Sequence, residues 1–273
     1  MTRLAIIAGQ GNLPLQVANA ADEQGYDVVI FPIVDQADAV FEGFVVQPVR
    51  LGAIGQTRCF LNRYGCCQMV MVGKVLWPSF SALRPDVTGM KLLANLIKRG
   101  DDSVLRSISQ FFAEHGVKTL PVNMFLEGRA MPFGHLAGPH IDDHGESLIR
   151  IGVSILDKLG ASDVGQSVIV QNGRVLAIEA AEGTSAMLAR SADLIGADAG
   201  PAVFVKMQKL GQDNRLDTPF VGAETMQAAA AAGVKVMAIE SGAVMLADDL
   251  QKLTKICAEH SMSFVGISAT AGT

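Results

Sequence analysis

Short apolar runs alternate with helical periods along the first half of the chain. Residues 4–8, 28–34, 44–49, 68–72 and 118–122 read as strands. Helical patterns lie between them, over about 13–24, 54–64, 89–99 and 102–115. The strand runs are too uniformly apolar to have a wet face. Strands of that kind, separated by helices, predict a parallel sheet covered on both sides, an α/β fold.

The pattern breaks at residues 128–147, which hold Gly128, Pro132, Gly134, Gly138, Pro139, Gly145 and three of the five histidines. This stretch reads as a linker. Narrowed to 133–146, it separates a first domain at 1–132 from a second at 147–273. A helix over 141–159 leads into the second half. There, residues 168–171 and 174–178 flank Asn172-Gly173, a pair that accepts the positive φ angles of a type I′ turn and predicts a hairpin. A helix from Thr184, strands at 202–207 and 234–239, an Ala-rich helix at 223–232, a helix at 247–260 and a strand at 264–267 complete the chain.

Composition narrows the classes. A length of 273 residues favours two domains. With 49% hydrophobic and 18% charged residues, an extended disordered architecture is excluded. The net charge is -5 and no basic stripe runs along the chain, which argues against a nucleic-acid partner. Local cations, Lys98-Arg99 and Lys206/Lys209/Arg215, suit a small phosphorylated ligand better. The four cysteines form no CxxC pair and read as buried thiols of a reducing compartment. The N-terminal run is too short for a secretory leader, and no apolar stretch is long enough to span a bilayer. A cytoplasmic protein is expected, touching a membrane only from its surface.

Several clusters could carry chemistry. Gly9-Gln10-Gly11-Asn12 ends the first strand and opens the first helix, where backbone N–H groups can meet a phosphate. Pro14 stands where a dinucleotide fingerprint has its third glycine, so a phosphate loop and a purely structural turn both remain open. Lys74 lies at the C-terminal end of a strand, a usual ligand edge in α/β sheets, though it could equally be a surface lysine. Asp102 and Arg106 sit at a helix start, which helix capping alone explains as well. His135, His140 and His144 straddle the linker and argue only weakly for a metal. Glu179, Glu182 and Thr184 leave the hairpin together, a donor set suited to Mg²⁺ with substrate phosphate oxygens, or to a capped helix with exposed glutamates. Lys206, Lys209, Asp213, Arg215, Asp217 and Thr218 form the most polar segment of an apolar half. Its cations could clamp phosphates while a carboxylate activates water, and a solvated loop would look similar.

Ordered blocks across nearly the whole chain carry a family likeness. They are IAGQGNLPLQVA at 7–18, VGKVLWPSFSALRPD at 72–86, KRGDDSVLR at 98–106, GQSVIVQNGRVLAIEAAEGTSAMLAR at 165–190 and RLDTPFVGAET at 215–225. With these the chain resembles the UDP-2,3-diacylglucosamine pyrophosphatases of the LpxI type, which act in lipid A biosynthesis. The resemblance implies a Rossmann-like N-terminal domain, a distinct C-terminal α/β domain and a substrate held between them. It implies Mg²⁺-dependent hydrolysis of UDP-2,3-diacylglucosamine to UMP and the diacylated sugar 1-phosphate, with attack at the sugar-side phosphorus. The family's Arg-x-Asp aspartate maps onto Asp217, the expected activator of water. Arg215 and Lys206 are then expected to stabilise charge, Glu179 and Glu182 to hold the metal, and Gly9, Gly11 and Asn12 to meet the nucleotide. Lys74, Asp102, Arg106, Thr184 and Thr218 are expected as further substrate contacts. The chain departs from the family pattern at Gln10, Ser185, Thr218 and Phe220. Contact with the inner-membrane surface and a homo-oligomer are both compatible with this reading. The rivals are a non-catalytic nucleotide-sugar-binding or regulatory module and, against Pro14, a nicotinamide-dependent oxidoreductase.

Overall fold

A computed structural model describes residues 2–76, 83, 85–94, 101–160, 164–209, 211, 213 and 215–269. The loop expected at 77–80 and the basic pair at 98–99 lie outside these residues. The chain divides into two units. The first comprises Met1–Glu127 with Asp213–Asp217, the second Gly128–Gln212 with Thr218–Thr273.

The first unit is built on β1 (Arg3–Ala8), β2 (Asp27–Pro32), β3 (Val45–Val46), β4 (Gln68–Val72) and β5 (Lys118–Thr119). They form a wholly parallel sheet in the order β3-β2-β1-β4-β5. That is the strand order of a dinucleotide-binding fold through its fifth strand, with the topological switch between β1 and β4. Leu4, Ala5, Ile6 and Ala8 are wholly buried, as a central strand covered on both faces requires. Helix α1 (Leu13–Glu23) buries Val17, Ala18 and Ala21 and stops at Gly25, whose φ of 86° ends the helix cheaply.

Helices α2 (Ile54–Arg63), α3 (Val87–Ala94) and α4 (Asp101–Glu114) complete this unit. One carboxylate serves two of them. Asp86 accepts the Gly89 N–H of α3 at 2.7 Å and the Gln56 N–H of α2 at 3.0 Å. Both are orphan donors of a first helical turn, and both N-termini favour a negative charge.

The second unit has a six-stranded sheet ordered β6-β13-β11-β9-β7-β8. Its strands are β6 (Gly134–Ala137), β7 (Ser167–Gln171), β8 (Arg174–Ile178), β9 (Val203–Lys206), β11 (Val236–Glu240) and β13 (Ser263–Ile267). The central β9, β11 and β13 are parallel, with antiparallel β6 on one side and the β7–β8 hairpin on the other. Asn172 and Gly173 both take positive φ, 49° and 72°, as the expected turn demands. A separate parallel pair joins β10 (Phe220–Val221) to β12 (Met245–Leu246).

Helix α5 (Asp143–Gly160) covers one face of the large sheet, where Leu148, Val153 and Leu156 pack with Val168, Val170, Val203 and Val205. Gly152 lets the helix approach closely, since a Cβ there would lie 2.5 Å from Val205 Cγ2. The other face is packed by α6 (Gly183–Ser191), α7 (Ala223–Ala232) and α8 (Leu250–Glu259), through Met187, Leu188, Met226, Ala229 and Leu253. No helix among the described residues is long and apolar enough to cross a membrane.

Two expectations are corrected. Residues 134–137, read as linker, form edge strand β6, paired with β13. Gly138 serves close packing there: a Cβ would collide with the Met262 carbonyl. Of the four thiols, Cys66 and Cys257 are buried, with burial pushing each up to about 11, but Cys59 and Cys67 are exposed.

Replacing Asp86 with Ala removes a cap from each of two helices, worth ~1 kcal/mol apiece. Urea unfolding of the full chain should show a loss of roughly 2 kcal/mol. A midpoint equal to wild type would show that solvent caps both helices equally well.

Candidate functional site

The glycine loop at the β1/β4 switch is held by its own chain. The Gly9 N–H donates to the Val72 carbonyl at 2.9 Å, and Gln10 and Lys74 exchange backbone hydrogen bonds of 2.8 and 3.2 Å. The Gly11 N–H donates to Asp38 Oδ1 at 2.7 Å. A Cβ on Gly9 would stand 2.6 Å from the Lys74 carbonyl, so glycine is required for this backbone contact. Gln36 clamps the far side, accepting the Leu76 N–H at 3.1 Å and donating to its carbonyl at 3.0 Å. Asn12 stands at the N-terminus of α1 and makes no side-chain cap. A phosphate reaching Gly11 must therefore displace Asp38. Lys74 is exposed beside this loop.

A second constellation of the first unit comes from the segment 213–217. Chain order would assign it to the C-terminal half, yet it groups with Met1–Glu127. Asp213 accepts Arg215 Nε at 2.9 Å and Arg215 Nη2 at 2.6 Å. Hydrogen bonds from Arg215 hold the Asp213 carboxyl below the usual range against its partial burial, and the positive charge of Arg106 on α4 adds to this. Arg106, Arg215 and Asp217 thus belong to one unit, together with Asp213. Asp217 is half-buried and its N–H donates to the Asp213 carbonyl at 3.2 Å. Asp102 lies on α4, with its side chain outside the described residues.

A third constellation lies in the second unit. Lys206 ends β9 only 5% exposed, and its Nζ donates to Thr184 Oγ1 at 2.9 Å. Thr184 donates in turn to Glu179 Oε1 at 2.8 Å, and Ser167 donates to Glu179 Oε2 at 2.5 Å. The Lys206 ammonium lies 4.0 Å from Glu179 Oε2. Burial disfavours ionisation of Glu179, but the Lys206 charge and the bonds from Ser167, Thr184 and the Gln166 N–H outweigh it and lower its pKa. Ser167 was not singled out by residue type. The signal that finds it is strand register, which sets Ser167 opposite Lys206.

The chain leaves this cluster through a loop pinned within the second unit. Glu240 accepts the Gln208 N–H at 2.7 Å, and burial raises its pKa against that bond, with Asp157 adding to the rise. Beyond half-buried Thr218, Pro219 accepts the Met245 N–H at 2.8 Å as β10 begins.

The described residues offer no ready cage for Mg²⁺. No three His, Cys, Asp or Glu side chains among them are grouped for a metal ion. Both Glu179 oxygens accept hydrogen bonds, while Glu182 takes Arg190 Nη2 at 2.7 Å. The Glu179 oxygens are thus both engaged, whereas the two Arg190 bonds to Glu182 fall on Oε1 alone. His135 and His140 stack with centroids 4.6 Å apart, and His135 Nε2 meets the Pro139 carbonyl.

Two family models match the chain in sequence order, and residues 213–217 fall within the second. The LpxI N-terminal domain model matches residues 3–129 and the LpxI C-terminal domain model residues 132–265. The chain belongs to the LpxI family. It is 33% identical over 261 residues, 91% of each chain, to the UDP-2,3-diacylglucosamine pyrophosphatase LpxI of Caulobacter vibrioides. Likeness to solved structures is slight. A GalE-like L-threonine dehydrogenase from Cupriavidus necator gives TM-score 0.29 at 16% identity, covering 55% of this chain and 47% of that one. CobK precorrin-6A reductase gives TM-score 0.29 at 13% identity, covering 88% and 61%.

The Glu179 carboxyl is lowered in the folded chain, so its contribution to stability is complete above its unfolded pKa of about 4.3. It is lost as pH falls through the lower folded value. Glu179→Gln leaves Lys206 buried without its charge partner and should cost ~3 kcal/mol at neutral pH. It should also flatten the acid limb of a plot of unfolding free energy against pH. An unchanged acid limb in the variant would assign that limb to other carboxyls.

Proposed function

We propose that the chain hydrolyses the diphosphate of UDP-2,3-diacylglucosamine, releasing UMP and 2,3-diacylglucosamine 1-phosphate for lipid A biosynthesis. The observation that carries this reading is the near-full-length likeness to the Caulobacter pyrophosphatase, with both family domains in order. The grouping of Arg106, Arg215 and Asp217 in one unit supports it.

Asp217 orients the attacking water and takes its proton. Arg215 and Arg106 hold phosphoryl oxygens, for which the planar guanidinium fork is suited, and offset the charge that develops there. Lys206 is buried and paired, so its role is to fix the Thr184 hydroxyl, which contacts the substrate. Lys74 and the loop at Gly9, Gly11 and Asn12 border the nucleotide end, and Asp102 and Thr218 line the substrate. Mg²⁺ enters as part of the substrate, bound to the diphosphate, since no three acidic, His or Cys side chains among the described residues are grouped to hold it beforehand. The acyl chains keep the substrate in a bilayer, so the enzyme works at the inner-membrane surface.

Purified chain with UDP-2,3-diacylglucosamine in detergent micelles should release UMP, with loss on chelation and recovery on adding Mg²⁺. Calorimetry without substrate should detect no Mg²⁺ binding. Tight substrate binding without UMP release would favour a binding module instead.

Asp217→Asn should lower turnover by at least ~100-fold while substrate binding survives, within the range of general acid–base groups. Hydrolysis in ¹⁸O-water should place the label in the sugar 1-phosphate. Label recovered mainly in UMP would mean attack at the nucleoside-side phosphorus.

A further inference from the structure

We infer that Asp213 is the positioning residue of this site, shaping the turn that presents Asp217 and fixing the guanidinium of Arg215. The inference rests on the assignment of Asp217 and Arg215 to the reaction. Five N–H groups bonded to one residue carry it. The Asp213 carbonyl accepts the N–H groups of Leu216 at 2.8 Å and Asp217 at 3.2 Å, closing a single turn. Its carboxylate accepts the Arg215 N–H at 3.1 Å, Arg215 Nε at 2.9 Å and Arg215 Nη2 at 2.6 Å. Side chain and backbone of Asp213 therefore both write the conformation of residues 215–217. Leu216, only 7% exposed, is the apolar anchor between two polar neighbours.

The pair is arranged for use by a ligand. The Arg215 side chain is 54% exposed and that of Asp213 only 20%. Asp213 occupies the Nε/Nη2 edge, which locks the guanidinium plane of a side chain still exposed enough to meet an anion. A guanidinium fixed in advance loses less entropy when it meets a phosphate than one on a free side chain. A solvated surface pair would add little to stability, so removing Asp213 should act on turnover far more than on folding.

The test uses Asp213→Asn, Asp213→Ala, Arg215→Ala and the double variant Asp213→Ala/Arg215→Ala, with Asp217→Asn alongside, assayed with UDP-2,3-diacylglucosamine in micelles. Asp213→Ala should lower kcat about 10- to 100-fold, the cost of a displaced catalytic geometry. Asp213→Asn keeps an acceptor for the turn and should lose less. In the Arg215→Ala background, removing Asp213 should cost clearly less than it does alone. The thermal midpoint should not move in any Asp213 variant. Wild-type turnover in Asp213→Ala with an inactive Asp217→Asn would overturn this inference and leave the catalytic reading intact. So would fully additive losses in the double variant, or a loss of kcat that tracks a fall in thermal midpoint. Wild-type turnover in Asp217→Asn would instead overturn the catalytic reading.

Discussion

A buried ammonium must be paired, and the polar end of the second sheet is organised around that requirement at Lys206. The residue ends β9 between apolar neighbours, in a position where an unpaired charge would cost several kcal/mol. Glu179 from the end of the hairpin, Thr184 from the first turn of α6 and Ser167 from β7 converge on it or on its partner. One charge pair thus ties two strands and a helix start together. The same commitment explains why Glu179 is a poor ligand for a resident cation: its oxygens are already spent on the fold.

Elsewhere the chain uses carboxylates to shape backbone. Asp38 takes the Gly11 N–H, Asp86 joins two helix N-termini, Asp213 folds the 213–217 turn and Asp248 accepts the Ala223 N–H at the start of α7 at 2.8 Å. Each replaces water, or an outside anion, at N–H groups that the local geometry leaves unpaired. At the β1/β4 switch this has a functional consequence. The N–H groups of Gly9, Gln10 and Gly11 are taken by Val72, Lys74 and Asp38, which agrees with the missing third glycine at Pro14.

The proposed site combines fixed cations with one carboxylate in a turn. Arg215 is exposed enough to meet a ligand, while Asp213 and Leu216 hold the turn in place. Charge stabilisation by such groups is most effective when they need not reorganise during the reaction. A single acidic residue supplies that rigidity here.

Much of the fold was legible in the chain itself. Uniform apolar runs identified β1, β2, β4, β9 and β11, because a strand covered on both faces has no polar alternation to hide it. Asn172-Gly173 specified the hairpin through its positive φ angles. The ordered motif blocks identified the family and singled out Asp217, Arg215 and Lys206. The sequence does not separate a flexible glycine from a close-packed one, so it reads β6 as linker, whereas β6 pairs with β13 and Gly138 packs on the Met262 carbonyl. Nor could it show that Lys206 is buried with Ser167 and Thr184, which depends on the register of β7 against β9. Finally, position along the chain placed Asp213–Asp217 with the C-terminal half, whereas packing joins it to the first unit beside Arg106. Local chemistry fixes which residues can carry charge. Only tertiary structure decides which charges meet, because those contacts span strands and loops far apart in sequence.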